Sequence, residues 1–118
     1  MPTTTSDVKV VTHKLDQTMP ITATPFIGNG QEGGWTIHRA GKVIASGTDP
    51  VAVDLGKPAD LLGSSVEISA GIKDTNQMTD RLSLEVVLTG GQTQPEATIV
   101  HDVDPGDIAS YSIVVFFI

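Results

Sequence analysis

The stretch Leu61–Gly91, LLGSSVEISAGIKDTNQMTDRLSLEVVLTGG, decides the fold class because it alternates apolar and polar side chains in two separate segments. Successive side chains of an extended chain point to opposite faces, so this alternation indicates strands with one buried face. The loop formers DTNQMTD separate the two segments. We therefore predict an antiparallel hairpin. Its core face consists of Val66, Ile68, Ala70, Ile72, Leu82, Leu84, Val86 and Leu88.

The rest of the chain consists of short segments rich in β-branched residues, with turn signals at intervals of roughly ten residues. Ala40-Gly41 is one such signal, because glycine there supplies a positive φ for a tight hairpin. The sequence DPGD at 104–107 is another. We predict an all-β antiparallel sandwich of about eight strands, with Greek-key or jelly-roll-like topology.

A single domain is expected over residues 7–118, after a flexible N-terminus at 1–6. A chain of 118 residues buries roughly two-thirds of its unfolded surface, which suffices for a core without covalent staples. The segment Ile21–Phe26 is predicted to be an edge or irregular strand. Pro20 and Pro25 bracket it, and proline donates no hydrogen bond to a ladder.

Composition excludes several classes of function. The chain has 14 acidic and 7 basic residues and a net charge of -7, which disfavours binding to nucleic acid or an anionic membrane. It has no cysteine, so disulfides and thiolate metal sites are ruled out. No apolar run approaches the roughly 18 residues of a membrane-spanning helix. The N-terminal MPTTTSDVKVV shows no signal-peptide pattern, so we expect a cytoplasmic protein or one exported without a visible signal peptide.

Motifs for catalysis and cofactor binding are weak. Residues 28–33 match GxGxxG, but a strand at Trp35 follows where a dinucleotide site needs a helix N-terminus. No GxSxG motif occurs, and His13, His38 and His101 have no second ligand at a metal-binding spacing. We expect no cofactor and lean against an enzyme. A hydrolase with a cross-strand site around His38 or His101 is the weakest hypothesis.

Acidic turn residues are predicted to gather at one end of the sandwich. Successive connections alternate between ends, so loop 74–80 shares an end with loop 104–107, and backward counting adds loops 27–33 and 47–50. Oxygen ligands from neighbouring loops can hold Ca²⁺, although the spacing matches no EF-hand. Aspartate and asparagine are also ordinary turn residues. The candidate calcium ligands are Asp74, Asn76, Asp80, Asp102, Asp104 and Asp107.

The last predicted strand, Ile108–Ile118, differs from the others because both of its faces become apolar. Opposite its core face lies a second stripe, Val114, Phe116 and Ile118. Only one face of a strand in a two-layer sandwich meets the core, so another element must cover this stripe. The candidates are the N-terminal segment, the loop 56–63 or a second subunit. An uncovered stripe would favour aggregation.

These observations lead to two main functional hypotheses. The first is a non-catalytic structural, accessory or adaptor protein that acts through protein–protein association and self-associates through its C-terminal strand. The second is a ligand-binding module whose acidic loops hold Ca²⁺ or a basic partner. The oligomeric state separates them, because it decides whether the terminal stripe is core or interface.

Overall fold

A computed structural model describes residues 4–16, 18–90 and 96–118. These residues form nine strands and one short helix. The strands are β1 (Thr4–His13), β2 (Ile21–Ile27), β3 (Glu32–Arg39), β4 (Lys42–Gly47), β5 (Val53–Gly56), β6 (Ser65–Lys73), β7 (Arg81–Thr89), β8 (Glu96–Asp102) and β9 (Ile108–Phe117), and the helix is α1 (Pro58–Leu61).

The strands form two sheets that pack face to face. Sheet A has the order β1-β9-β6-β3-β4, and sheet B has the order β5-β2-β7-β8. The predicted all-β sandwich is confirmed, with nine strands in the described residues instead of about eight. Alternating side chains from both sheets meet between the layers. Fully buried side chains there include Ile37, Ile68, Leu84 and Ile113.

Strands β6 and β7 do not pair with each other, so the hairpin predicted over Leu61–Gly91 is wrong. β6 bonds to β3 and β9 in sheet A, whereas β7 bonds to β2 and β8 in sheet B. The loop 74–80 crosses between the layers, and its length easily spans the roughly 10 Å between packed sheets. Alternation requires only that one face of each strand be buried. Two strands that face each other across the core meet that requirement as well as two neighbours in one sheet.

Strands β1 and β9 are parallel neighbours, with Thr4 opposite Ile108 at one end. This pair is the exception to the predicted antiparallel arrangement. Parallel strands need a long connection, and the seven other strands separate these two. β1 begins at Thr4, so it includes residues 4–6 of the segment 1–6 that we predicted to be flexible. Residues 1–3 lie outside the described residues.

The predicted hairpin between β3 and β4 is confirmed. Ala40 has φ 51° and Gly41 has φ 76°, so both turn residues adopt the left-handed conformation that such two-residue hairpins use. A bulge after Ile37 places that residue opposite Ala45 and shifts the register of β4 by one residue.

Strand β2 lies between β5 and β7, so it is not an edge strand. Its pairing with β5 shifts register between Ile21 and Thr22, so the predicted irregular alternative is confirmed. β5 is short, however, and accompanies β2 only as far as Ala23. Pro25 lies beyond that point, where β2 is paired in register with β7 alone. β2 thus has a strand on each side in the sheet order, but at Pro25 only one side is paired. The missing N–H of proline is tolerated there.

Helical structure is limited in the described residues to the single turn α1, which starts with a proline at its first position. Leu61 at the end of this turn is fully buried and belongs to the core. No helix in the described ranges is long and apolar enough to cross a membrane.

Candidate functional site

The outer face of β9 is apolar toward the C-terminal end of the strand. Strand alternation turns every second side chain of β9 into the core. The side chains between them point away from the core. Val114 is half-buried, Phe116 is 44% exposed and Ile118 is 59% exposed.

Strand β1 widens this stripe. Its parallel register sets Val10 beside Val114, and Val8 precedes Val10 on the same outer face. Val8 is 62% exposed and Val10 is 60% exposed. Sequence reasoning missed both valines, because alternation within β1 does not reveal which strand lies beside it. We call the set Val8, Val10, Val114, Phe116 and Ile118 the apolar face.

No other segment in the described residues covers the apolar face. The N-terminal segment lies beside β9 as β1, and therefore extends the face. The end of the loop 56–63 lies beside β9 as well, because the Gly63 N–H donates to the Phe117 carbonyl at 3.0 Å. The two internal coverings considered from the sequence are thus not formed. Of the alternatives given above, a second subunit and an uncovered stripe remain.

An open hollow of about 390 Å³ lies on the outer face of sheet A and is lined by His38, Ala40, Gly41, Ser65 and Glu67. His38 stands opposite Glu67 in the register of β3 and β6. Among the described residues, no hydrogen bond joins His38 to Ser65 or Glu67, and Nδ1 of His38 is buried without a partner. A serine hydrolase needs its histidine bonded to both the nucleophile and the carboxylate, so these residues form no triad.

His101 does contact a carboxylate, at the seam where β8 of sheet B meets β1 of sheet A. Its Nε2 lies 2.7 Å from Oδ2 of Asp7. Hydrogen bonding from His101 holds the pKa of Asp7 below its usual value, although burial opposes this effect. The other Asp7 oxygen accepts the Val8 N–H at 2.8 Å. Beside them, Nζ of Lys9 donates to the Thr98 carbonyl at 3.3 Å, so these side chains hold the two sheets together.

Three of the predicted loops meet at one end of the sandwich. The Asp74 N–H donates to the Asp107 carbonyl at 2.9 Å, which joins the loop 74–80 to the loop 103–107. The Asn76 side-chain amide donates to the Asn29 carbonyl at 2.8 Å, which joins the loop 74–80 to the loop 28–31. We call this end the acidic pole and define it by the loops 28–31, 74–80 and 103–107.

Gln31 organises the acidic pole, and no pattern in the sequence marked it. Its side chain is only 9% exposed. Oε1 accepts the backbone N–H groups of Thr75 at 2.8 Å and Asn76 at 2.7 Å. Nε2 donates to Oδ1 of Asp74 at 3.0 Å and approaches the backbone carbonyls of Thr79 and Arg81. One amide side chain thus holds the loop 74–80 in its observed conformation.

Asp74 and Asp80 form a close carboxyl pair at the acidic pole. Asp74 is 8% exposed, and its Oδ2 is buried without a nitrogen donor. Hydrogen bonding to Asp74 raises the pKa of Asp80, and burial and the charges of Asp74, Asp104 and Asp102 act in the same direction. A raised pKa in the fold stabilises the protein at low pH. That contribution is lost as the pH rises through the raised pKa of Asp80.

Two other predicted calcium ligands, Asp102 and Asp107, have local partners. Asp102 accepts from Nε of Arg81 at 3.0 Å in an exposed ion pair. The Asp107 carboxylate accepts the Asp104 N–H at 3.2 Å. In the part of the chain that the structure describes, no three histidine or acidic side chains are grouped so that they could hold a metal ion. The predicted residues therefore share one end of the fold without forming a ready-made metal centre.

Comparison with known proteins found no relative: no family model, curated protein or solved structure matches this chain. A functional proposal must therefore come from its own surfaces.

Proposed function

We propose that this protein is a non-catalytic structural or accessory protein that self-associates through the apolar face. The exposure of that face is the observation that supports the proposal most directly. It unites side chains from two neighbouring strands, β1 and β9, and three of them are more than half exposed. A contiguous exposed apolar surface of this kind is typical of a protein interaction site.

A second copy of the chain is the partner that fits best. Two copies repel each other in general, because each carries a net charge of -7. The five side chains of the apolar face are uncharged, and Glu67 of β6 is a charged neighbour that lies beside Val114 on the same outer face. Packing the face of one copy against the same face of another gives a closed two-fold arrangement. Full burial of each such side chain contributes on the order of 1.5–3 kcal/mol.

Phe116→Glu is expected to weaken this association at least about 30-fold, because a central aromatic side chain typically contributes about 2 kcal/mol or more to an interface. Sedimentation velocity over a range of protein concentrations measures the change. The variant is expected to remain folded, because Phe116 already contacts solvent.

The matched control is Met78→Glu, which adds the same charge at a side chain that is 91% exposed on the acidic pole. It should leave the association state unchanged. Wild-type protein that stays monomeric at high concentration would contradict the proposal. So would a Phe116→Glu variant that is folded by circular dichroism and associates as the wild type does.

We propose cation binding at the acidic pole as a second candidate function, supported by the Asp74–Asp80 pair. The negative charges that raise the pKa of Asp80 would also attract a calcium ion, and Oδ2 of Asp74 has no nitrogen donor to displace. Calcium is expected to raise the melting temperature at pH 7 but not in Asp80→Asn, and the effect should fade as acid protonates Asp80. Equal melting temperatures with Ca²⁺ and with a chelator would eliminate this candidate.

A further inference from the structure

Strand β1 leaves one of its two backbone edges open. Within the described residues its only strand partner is β9. The Ile118 N–H donates to the His13 carbonyl at 3.0 Å, so His13 directs its backbone toward β9. The Val8 N–H is taken instead by the Asp7 carboxylate at 2.8 Å. Because backbone directions alternate along a strand, the groups of Val8, Val10 and Thr12 face the open edge.

We propose that the open edge of β1 pairs antiparallel with the β1 edge of a second copy, around a two-fold axis at Val8. This contact goes beyond the proposed packing of the apolar face, because it uses backbone groups of the edge instead of side chains of the outer surface. An edge strand with unpaired N–H and C=O groups is a template for another strand. A two-fold axis closes the arrangement and leaves neither β1 edge open.

The charges on β1 select this register. Asp7 and Lys9 flank Val8 and lie on the same side of the strand. An axis at Val8 sets Asp7 opposite Lys9 of the partner subunit and sets Lys9 opposite Asp7 of the partner subunit. An axis at Asp7 or at Lys9 would instead place identical charges opposite each other, which is destabilising. An axis at Val10 would place neither Asp7 nor Lys9 across from a residue of opposite charge.

The outer side of β1 supports the same register. An axis at Val8 sets Val8 opposite Val8 of the partner subunit, and Val10 opposite Ser6 of the partner subunit. The apolar faces of the two copies then adjoin across the joint and form one larger surface. That surface can still pack against another such pair. When the axis of face packing meets the edge axis at a right angle, the two contacts together produce a closed tetramer with three two-fold axes.

Asp7 keeps the edge satisfied before assembly. In the single chain one of its oxygens caps the Val8 N–H, and the other accepts from His101 at 2.7 Å. On pairing, the Val8 N–H donates to the Val8 carbonyl of the partner subunit. The Asp7 oxygen that this releases accepts from the partner subunit's Lys9, and Lys9 leaves the Thr98 carbonyl to make the same contact. The cap and the charge pattern together restrict the open edge to a single partner in a single register.

The edge contact is tested in the Phe116→Glu background, where face packing is removed. Wild-type protein is expected to be a tetramer and Phe116→Glu a dimer. Adding Lys9→Glu should weaken that dimer about tenfold, because two opposite-charge pairs become two like-charge pairs. Adding Asp7→Lys as well exchanges the charges and should restore the affinity to within about threefold. Lys14→Glu, an equal charge change outside β1, is the matched control.

Cross-linking gives a second measurement that charge effects cannot imitate. The chain has no cysteine, so Val8→Cys introduces a single thiol. The axis at Val8 brings the two substituted positions to a Cα separation of about 5.5 Å, which a disulfide can bridge. In the Phe116→Glu background, where face packing cannot bring two Val8 positions together, we expect a covalent dimer after mild oxidation. Thr12→Cys lies on the same open edge but far from the axis, and should not cross-link.

The outcomes separate the two proposals. A monomeric Phe116→Glu variant, or Thr12→Cys that cross-links as well as Val8→Cys, overturns the edge contact and leaves face packing in place. A Phe116→Glu variant that is still tetrameric overturns face packing. If Lys9→Glu then disrupts that assembly, the edge contact is supported. A monomeric wild-type protein overturns both.

Discussion

Gln31→Leu is expected to lower the free energy of unfolding by about 3–6 kcal/mol, which is a large part of the stability of a domain this size. Leucine has a similar size but can neither donate nor accept a hydrogen bond. The backbone N–H groups of Thr75 and Asn76 would lose their acceptor, and buried Asp74 would lose its donor. Loss of the donor to buried Asp74 costs about 1–3 kcal/mol, and loss of the acceptor for the part-buried N–H groups of Thr75 and Asn76 costs about 1–1.5 kcal/mol each.

Urea denaturation measures this loss. Gln77→Leu is the matched control, because Gln77 is an exposed glutamine in the same loop. That substitution should change the free energy of unfolding by less than about 0.5 kcal/mol. A Gln31→Leu variant as stable as the control would mean that loop 74–80 holds its conformation without the buried amide.

Gly90→Ala is expected to destabilise the fold by about 2–5 kcal/mol for two separate reasons. Gly90 has φ 84°, and a residue with a side chain loses about 1–2 kcal/mol in this left-handed conformation. A Cβ there would also overlap the Pro20 carbonyl oxygen and crowd Ile21. Relief of such an overlap typically costs a further 1–3 kcal/mol or so. Moving Gly90 also disturbs its carbonyl, which lies 2.6 Å from Nε2 of buried His13.

Comparison with Gly106→Ala separates the cost of the overlap at Gly90 from the cost of the left-handed conformation. Gly106 has φ 82°, and a Cβ built on it would meet no atom within 4 Å. Its substitution should therefore cost only the conformational part, about 1–2 kcal/mol. Thermal melts of the two variants side by side give the difference. Equal losses of stability would show that the backbone around Pro20 moves to accommodate the added Cβ without a measurable cost.

The buried face of each strand could be predicted from the sequence, but the neighbours of each strand could not. Alternation in Val66–Ile72 and Leu82–Leu88 correctly assigned the core side chains of β6 and β7. It assigned the wrong pairing, because a strand buries the same face whether its sequence neighbour lies beside it or across the core. The tight hairpin at Gly41 was predictable because its two-residue turn leaves no room for a crossing.

The same distinction, between what a local pattern shows and what depends on long-range contacts, applies to the candidate sites. Phe116 and Ile118 stood out because they break the alternation of their own strand. Val8 and Val10 did not, because their significance depends on a parallel pairing with a strand far away in the sequence. Gln31 resembled an ordinary polar loop residue. Its role depends on contacts with a loop more than 40 residues later, which no local pattern specifies.

The parallel pairing of the first and last strands also bears on when the sandwich can form. β9 lies between β1 and β6, so sheet A lacks an inner strand until Ile108–Phe117 has been synthesised. During translation β1 therefore has no neighbouring strand in sheet A until β9, the last strand, has emerged from the ribosome. Such long-range pairing places folding in the slow range, from milliseconds to seconds. We expect sheet B, which needs only β2, β5, β7 and β8, to acquire order before sheet A does.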